Sequence, residues 1–367
     1  PRNCMVDDCL ITRTGLVVKQ TAGVQISLAR EITVRNCSIY ELPRAGINIG
    51  EGAFGGHVIE YNDVFDTVRE TSAHSSFNSW GRDRFWVRDQ MALSQDKDVV
   101  LLDIRQPNII RNNRWRCDHG WDVDLDDGSS NYIIYNNLML SSGLKLREGF
   151  YRKVYNNIMV NKTLYPHVWF RNSGDEFYNN IIFEDRYRPA GNMDFSPWGK
   201  LMDRNFVHVK GMKGVEPASE LARQSGNARH SLKGDALFSS PALNLGFRKF
   251  PTDRFGGRSR HLKALARTPD IPEVAGNRLE KRETVLVKKL GAEVRIAEGE
   301  GDLSVFGLMP EDLGRALVIV KVQKDGPCSS AGILPGDVLL LAGGNKVDGV
   351  EKLGRQLPSS GKLAVAD

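Results

Sequence analysis

Ile134-Tyr-Asn-Asn-Leu-Met139, Val154-Tyr-Asn-Asn-Ile-Met159 and Phe177-Tyr-Asn-Asn-Ile-Ile182 are three copies of one short β-prone run that carries an Asn pair. Ile110-Arg-Asn-Asn-Arg-Trp115 is a fourth copy. Val34-Arg-Asn-Cys-Ser-Ile39, Ile59-Glu-Tyr-Asn-Asp-Val64 and Met202-Asp-Arg-Asn-Phe-Val207 are looser ones. The second Asn falls at Asn113, Asn137, Asn157 and Asn180, at intervals of 24, 20 and 23 residues. Such a period suits one coil of a parallel β-solenoid, in which each turn supplies about three short strands. Stacked coils repeat every ~4.8 Å and bring equivalent positions into line. Asn suits the bend between strands, because it tolerates left-handed φ and its amide can bond to the Asn of the next coil. Leucine-rich repeats share the period but need a Leu-x-x-Leu-x-Leu frame, which is absent. A propeller blade would be about twice as long.

The pattern predicts an all-β chain: a right-handed parallel β-helix over 1–249, a linker over 250–283 and a small second domain over 284–367. The gap from Asn62 to Asn112 is 50 residues. It reads as two coils, or as one coil with an excursion centred on the polar stretch 71–89. Long loops on a rigid solenoid are where function concentrates. A short helix is expected at Ala218–Gln224, and the stretch 238–246 reads as a turn closing the core. Both chain ends lie inside strand-like runs, as expected of a fragment.

Composition narrows the function classes. The chain has 367 residues, 41% hydrophobic and 26% charged, with a net charge of +5. Its Lys and Arg are scattered, so nucleic acid is not an expected partner. No apolar run is long enough to span a membrane. Five cysteines with no CxxC pair read as buried thiols. A Gly-rich phosphate loop, a nucleophile elbow and HExxH are all missing. No cofactor and no metal is expected.

The densest chemistry lies in Cys117-Asp-His-Gly-Trp-Asp-Val-Asp-Leu-Asp-Asp-Gly128. Strand alternation puts Val123 and Leu125 inside, and Asp122, Asp124 and Asp126 outside. Like charges on one short face raise at least one pKa. A bland reading is a solvated Asp/Gly turn, with or without Ca²⁺. Aligning Gly120 with Gly143 places Asp124 over Arg147 and brings Glu148 one coil from the Asp cluster. A one-coil step separates carboxyls by roughly 5 Å, the spacing of retaining glycoside hydrolysis. A surface ion pair with Arg147 or Arg152 is the bland reading of Glu148. One coil further, His167 and Trp169 are expected outward as sugar contacts, unless Trp169 is simply covered by a loop. The stretch 71–89 adds His74, Asn78, Trp80, Arg82 and Asp83, a mixture suited to hydroxyl-rich ligands.

The run Asp124-Leu-Asp-Asp-Gly-Ser-Ser-Asn-Tyr132, then Lys145-Leu-Arg-Glu-Gly-Phe150 and His167-Val-Trp169, resembles parallel β-helix glycoside hydrolases of the β-xylosidase and fucosidase–xylanase groups. The resemblance spans roughly residues 30–250. It implies an Asp nucleophile, matched by Asp126 with Asp124 and Asp127 as rivals, and an acid/base matched by Glu148. It implies a secreted or periplasmic enzyme acting on plant or algal polysaccharide or oligosaccharide, with Arg147 and His167 positioning the sugar. A polysaccharide lyase using Lys145 or Arg147 as base, and a non-catalytic glycan-binding protein, are the rival expectations. From about Thr284 the chain resembles a PDZ domain, incomplete at its C-terminus. In that resemblance Phe306, Gly307, Leu308 and Met309 form the loop that receives a peptide carboxylate, and a peptide C-terminus is the partner implied.

Overall fold

In the computed structural model the chain divides into two compact units, Pro1–Gly276 and Asn277–Asp367. The structure describes residues 1–50, 54–71, 74–81, 97–190, 193, 195–236, 241–271, 285–297, 310–333, 337–342 and 344–356.

The first unit is all-β and solenoid-like. Among the described residues its short strands form three sheets, and successive coils add one parallel strand to each. In one coil these are Asn108–Arg111, Arg114–Trp115 and Trp121–Leu125; in the next, Tyr132–Tyr135, Leu138–Met139 and Leu144–Leu146. Inward positions stack in columns. Val34, Ile59, Ile110, Ile134, Val154 and Phe177 follow one another in strict register and are buried.

The Asn pair divides the corner's two tasks. The first residue takes the left-handed conformation, at Asn36, Asn112, Asn136, Asn156 and Asn179, with φ between 52° and 56°. The second points inward. Asn62, Asn113, Asn137, Asn157, Asn180 and Asn205 are all buried. Each Oδ1 from Asn113 onward accepts the backbone N–H and the Nδ2–H of the preceding ladder Asn, at 2.9–3.1 Å. Cys37 starts the ladder by donating its backbone N–H to Asn62, and Ser231 ends it by accepting from Asn205. Replacing Asn157 by Ala would strand buried donors on Asn137 and acceptors above it. A loss of about 2–3 kcal/mol in urea unfolding is expected, since unpaired buried polar groups cost about 1–3 kcal/mol each. An unchanged midpoint would mean the ladder contributes nothing to stability.

One open alternative is settled and two expectations change. Val58–Glu60 pairs directly with Asn108–Arg111, so the 50-residue gap is one coil with an excursion. The excursion begins later than expected, because Ser75–Ser79 is itself a strand of the third sheet. Its Ser-rich sequence hides it: Ser carries little strand preference, and only the pairing to its neighbours supports it. Thirdly, residues 250–270 are not a detached linker. Gly256 donates to the Tyr61 carbonyl, Arg258 to Asp8, and Arg116 donates to the carbonyl of Asp270. Arg267 lies over the rings of Tyr40 and Phe65. The helix expected near Ala218–Gln224 is observed at Ser219–Ser225.

The second unit holds a four-stranded antiparallel sheet of Val285–Val287, Ala292–Ile296, Leu317–Val322 and Val338–Leu339, with a helix at Gly349–Gln356. Leu290, Val294, Leu317, Ile319, Cys328 and Leu353 form its core. Phe306, Gly307, Leu308 and Met309 lie outside the described residues. All five cysteines are unbonded. Cys37, Cys117 and Cys328 are buried, but Cys9 is half-buried and Cys4 is exposed. Among the described residues, no helix is long and apolar enough to cross a membrane.

Candidate functional site

The third sheet carries the candidate chemistry on its outward face. Its six strands run Val24–Ile26, Ile47–Ile49, Ser75–Ser79, Trp121–Leu125, Leu144–Leu146 and Leu164–Pro166. Their middle outward positions form one row: Gln25, Asn48, Asn78, Asp124, Lys145 and Tyr165. A second outward row follows two residues later: Ser27, Gly50, Trp80, Asp126, Arg147 and His167. Backbone bonds of 2.8–3.1 Å keep that row in step, including Asp126 N–H to Ser79, Arg147 N–H to Leu125 and His167 N–H to Leu146. Between the rows, Val123, Leu125, Leu144 and Leu146 point into the core.

The acids and cations of these rows interlock. Lys145 Nζ donates to Asp124 Oδ2 at 3.1 Å and to Asp126 Oδ1 at 3.2 Å, and it lies 4.4 Å from the Trp121 ring centroid. Arg147 reaches three carboxylates. Its Nη1 is 3.1 Å from Asp126 Oδ1 and 2.8 Å from Asp127 Oδ1, and its Nε is 2.7 Å from Glu148 Oε2. The Arg147–Glu148 contact is ionic and lacks hydrogen-bond alignment. Trp121, Tyr165 and His167 line one side, with ring centroids 5.7 and 5.8 Å apart. A cleft of about 410 Å³ adjoins that side, bordered by Trp121, Tyr165, Lys162 and Arg188.

Burial and charge split the acids. Burial raises the Asp124 pKa well above the carboxylate range, against the pull of Lys145 and with a push from Asp126. Burial also raises Glu148, opposed by its own backbone N–H and by Arg147. Asp126 is the reverse: burial works to raise it, but Lys145 and Arg147 together hold it below its ordinary value. His74 and His167 are lowered chiefly by burial, so both are neutral near pH 7. Because folding raises the Asp124 pKa, its contribution to stability is full below about pH 4 and fades as pH rises through the folded value. Asp124→Asn is therefore expected to flatten the decline of unfolding free energy between about pH 4 and 8. Identical slopes for variant and parent would show that Asp124 is ionised throughout.

The structure places the expected residues unevenly. Asp124, Asp126, Asp127, Glu148, Arg147 and His167 come together on one wall. His74, Asn78 and Trp80 sit one coil away on the same sheet, while Arg82 and Asp83 lie outside the described residues. Asp122 does not join them. It is buried in the corner, where it accepts backbone N–H groups from Cys117, Ser141, Ser142 and Gly143, and burial lifts its pKa to about 7. Trp169 also leaves the wall. The strand ends at Pro166, so alternation stops there. The Trp169 ring turns into the core, and its Nε1 donates to Ser173 and Asp175. The glycine alignment is off by two residues: Lys145, not Arg147, stands opposite Asp124. Gly120 packs tightly on the His74 carbonyl, whereas Gly143 holds a left-handed turn against Thr163, so the two glycines are not equivalent.

Sequence reading passed over Trp121, Tyr165 and Arg44. The alternation Leu164-Tyr-Pro166 exposes Tyr165 to inspection; nothing local marks Arg44. Among the described residues, no group of three or more His, Cys, Asp or Glu side chains is arranged to hold a metal ion. Scanned against protein-family models, curated proteins and solved structures, the chain matches none.

Proposed function

We propose that the first unit is a right-handed parallel β-helix glycoside hydrolase that cleaves polysaccharide or oligosaccharide by a retaining, two-carboxylate mechanism. One observation carries the reading: Arg147 touches both Asp126 and Glu148, from adjacent coils of one wall, while their pKa values are pushed in opposite directions. One acid whose pKa is lowered beside another whose pKa is raised is the division of labour that glycoside cleavage needs. Asp126 attacks the anomeric carbon and forms a glycosyl–enzyme bond as Glu148 gives its proton to the leaving oxygen. Glu148 then takes a proton from water, which displaces Asp126 and releases the sugar. Lys145 and Arg147 keep Asp126 charged, and the Trp121, Tyr165 and His167 rings offer faces for sugar C–H groups.

The lyase reading asks Lys145 for a base. Its Nζ already donates to Asp124 and Asp126 and lies over the Trp121 ring, so its hydrogens are turned toward the wall's own acids. A secreted or periplasmic setting, and a PDZ-like second unit that takes a peptide C-terminus, belong to the same proposal.

Incubation with a panel of nitrophenyl glycosides and plant or algal polysaccharides tests it. Reducing sugar released with retained anomeric configuration supports the reading. An unsaturated, ultraviolet-absorbing product would replace it with a lyase, and binding without turnover would make the protein a glycan-binding module.

A further inference from the structure

Arg44 is a buried cation that no described residue neutralises. Only 6% of its surface is exposed, yet it makes no side-chain hydrogen bond or ion pair among the described residues, and its Nε is unpaired. Burial pushes its pKa downward, and among the described residues no carboxylate opposes that push. The other buried cations among the described residues are matched, Lys145 on this wall by Asp124 and Asp126, and Arg152 in the first sheet by Asp175. Burying a charge without a partner is among the more expensive arrangements in a protein.

Its surroundings resemble half of a binding site. Arg44 lies 5.1 Å from the Trp80 ring centroid. It stands three residues before Ile47, as His74 stands three before Phe77, and Ile47 pairs with Phe77. Asn78, 1% exposed, lies beside His74 but makes no well-aligned amide hydrogen bond among the described residues, and its strand position is opposite Asp124. The His74 Nδ1 and the Trp80 Nε1 are buried and lack an aligned partner among the described residues as well. Among the described residues, several buried polar groups without partners thus gather around Arg44, one coil from the acid cluster.

We propose that Arg44, with His74, Asn78 and Trp80, is a subsite for a sugar carboxylate, so that the saccharide handled here is an acidic one built from hexuronates. A guanidinium packed on a ring face presents its N–H edge in plane, which suits the two coplanar oxygens of a carboxylate. Asn78 offers both a donor and an acceptor to neighbouring hydroxyls. The inference rests on the glycosidase reading only for the word substrate; binding stands on its own.

The test is calorimetric titration with oligogalacturonides and oligoglucuronides, their carboxyl-reduced neutral forms, and sulfated oligosaccharides of equal length. The Glu148→Gln protein is used so that nothing is consumed. Uronate binding about 10- to 100-fold tighter than that of the reduced form is expected, the range for one charge-assisted interaction. Arg44→Met should erase that preference and melt no lower than the parent, because it removes an uncompensated charge at similar volume. Arg44→Lys should retain part of the preference. Equal binding of acidic and reduced probes, tighter binding of sulfated ones, or a preference that survives Arg44→Met would each overturn the proposal. A variant that melts well below the parent with its preference intact would make Arg44 structural. Uronate preference without turnover by the parent would leave the subsite standing and remove the glycosidase reading; turnover without the preference would do the opposite.

Discussion

Glu148→Gln is expected to lower turnover of a natural oligosaccharide by about 10³-fold, within the range usual for losing a positioned general acid. Gln keeps the shape and the neutral charge that burial already favours at this position, but it has no transferable proton. The loss should shrink on nitrophenyl glycosides, because nitrophenolate leaves with little protonic help. Asp126→Asn should act differently. It removes the ionised partner of Lys145 and Arg147, so turnover falls on both substrate types. The pH profile follows from the same shifts. Activity needs Glu148 protonated, so it declines as pH rises through that raised pKa. It needs Asp126 ionised, so the acid limb lies below the ordinary carboxylate range. Steady-state rates on the two substrate types, measured across pH, check all of this. If both variants kept parental turnover, the two acids would not be catalytic.

Asp175→Ala is expected to be the most damaging change outside the acid cluster. Arg152 is fully buried, and its guanidinium is held by Asp175, with Nε to Oδ1 at 2.8 Å and Nη2 to Oδ2 at 2.6 Å. Its Nη1 donates to the carbonyls of Arg147, at 2.7 Å, and Ser129, at 3.3 Å. Removing the carboxylate leaves a charge stranded in the core, which costs about 3–5 kcal/mol. For a unit of this size that is a drop of roughly 10 °C in melting temperature. The loss should reach the site as well, because the Arg152 side chain fixes the backbone of Arg147, whose own side chain joins Asp126 to Glu148. Calorimetry together with turnover on the surviving folded fraction measures both effects. A variant that melts with the parent would show that the pair contributes no net stability. Parental turnover from that fraction would show that Arg152 does not position the site.

Local pattern was sufficient wherever one coil repeats the next. The spacing of Asn113, Asn137, Asn157 and Asn180 revealed the period, and the alternation Asp122-Val-Asp-Leu-Asp126 separated core from wall. The repetition is its own signal, because a residue that must sit in a stacked column recurs at each turn. Where a coil departs from its neighbours, the pattern was silent. Ser75–Ser79 is a strand only because Ile47–Ile49 and Trp121–Leu125 flank it.

The chain order alone established the coil period and the existence of an acid-rich wall. Only folding settled which acids share it. Asp122 and Asp126 are four residues apart with the same chemistry, yet one is spent on backbone amides in a corner and the other is clasped by two cations. Trp169 left the place expected of it, because a corner sends its ring inward, while the ring of Trp121, which had drawn no expectation, lies against Lys145. The reason is physical. Strand alternation is a property of neighbouring residues, but burial and pairing depend on the coil above and the coil below. Those contacts bring together residues 21 to 51 positions apart, and no short stretch of chain encodes them.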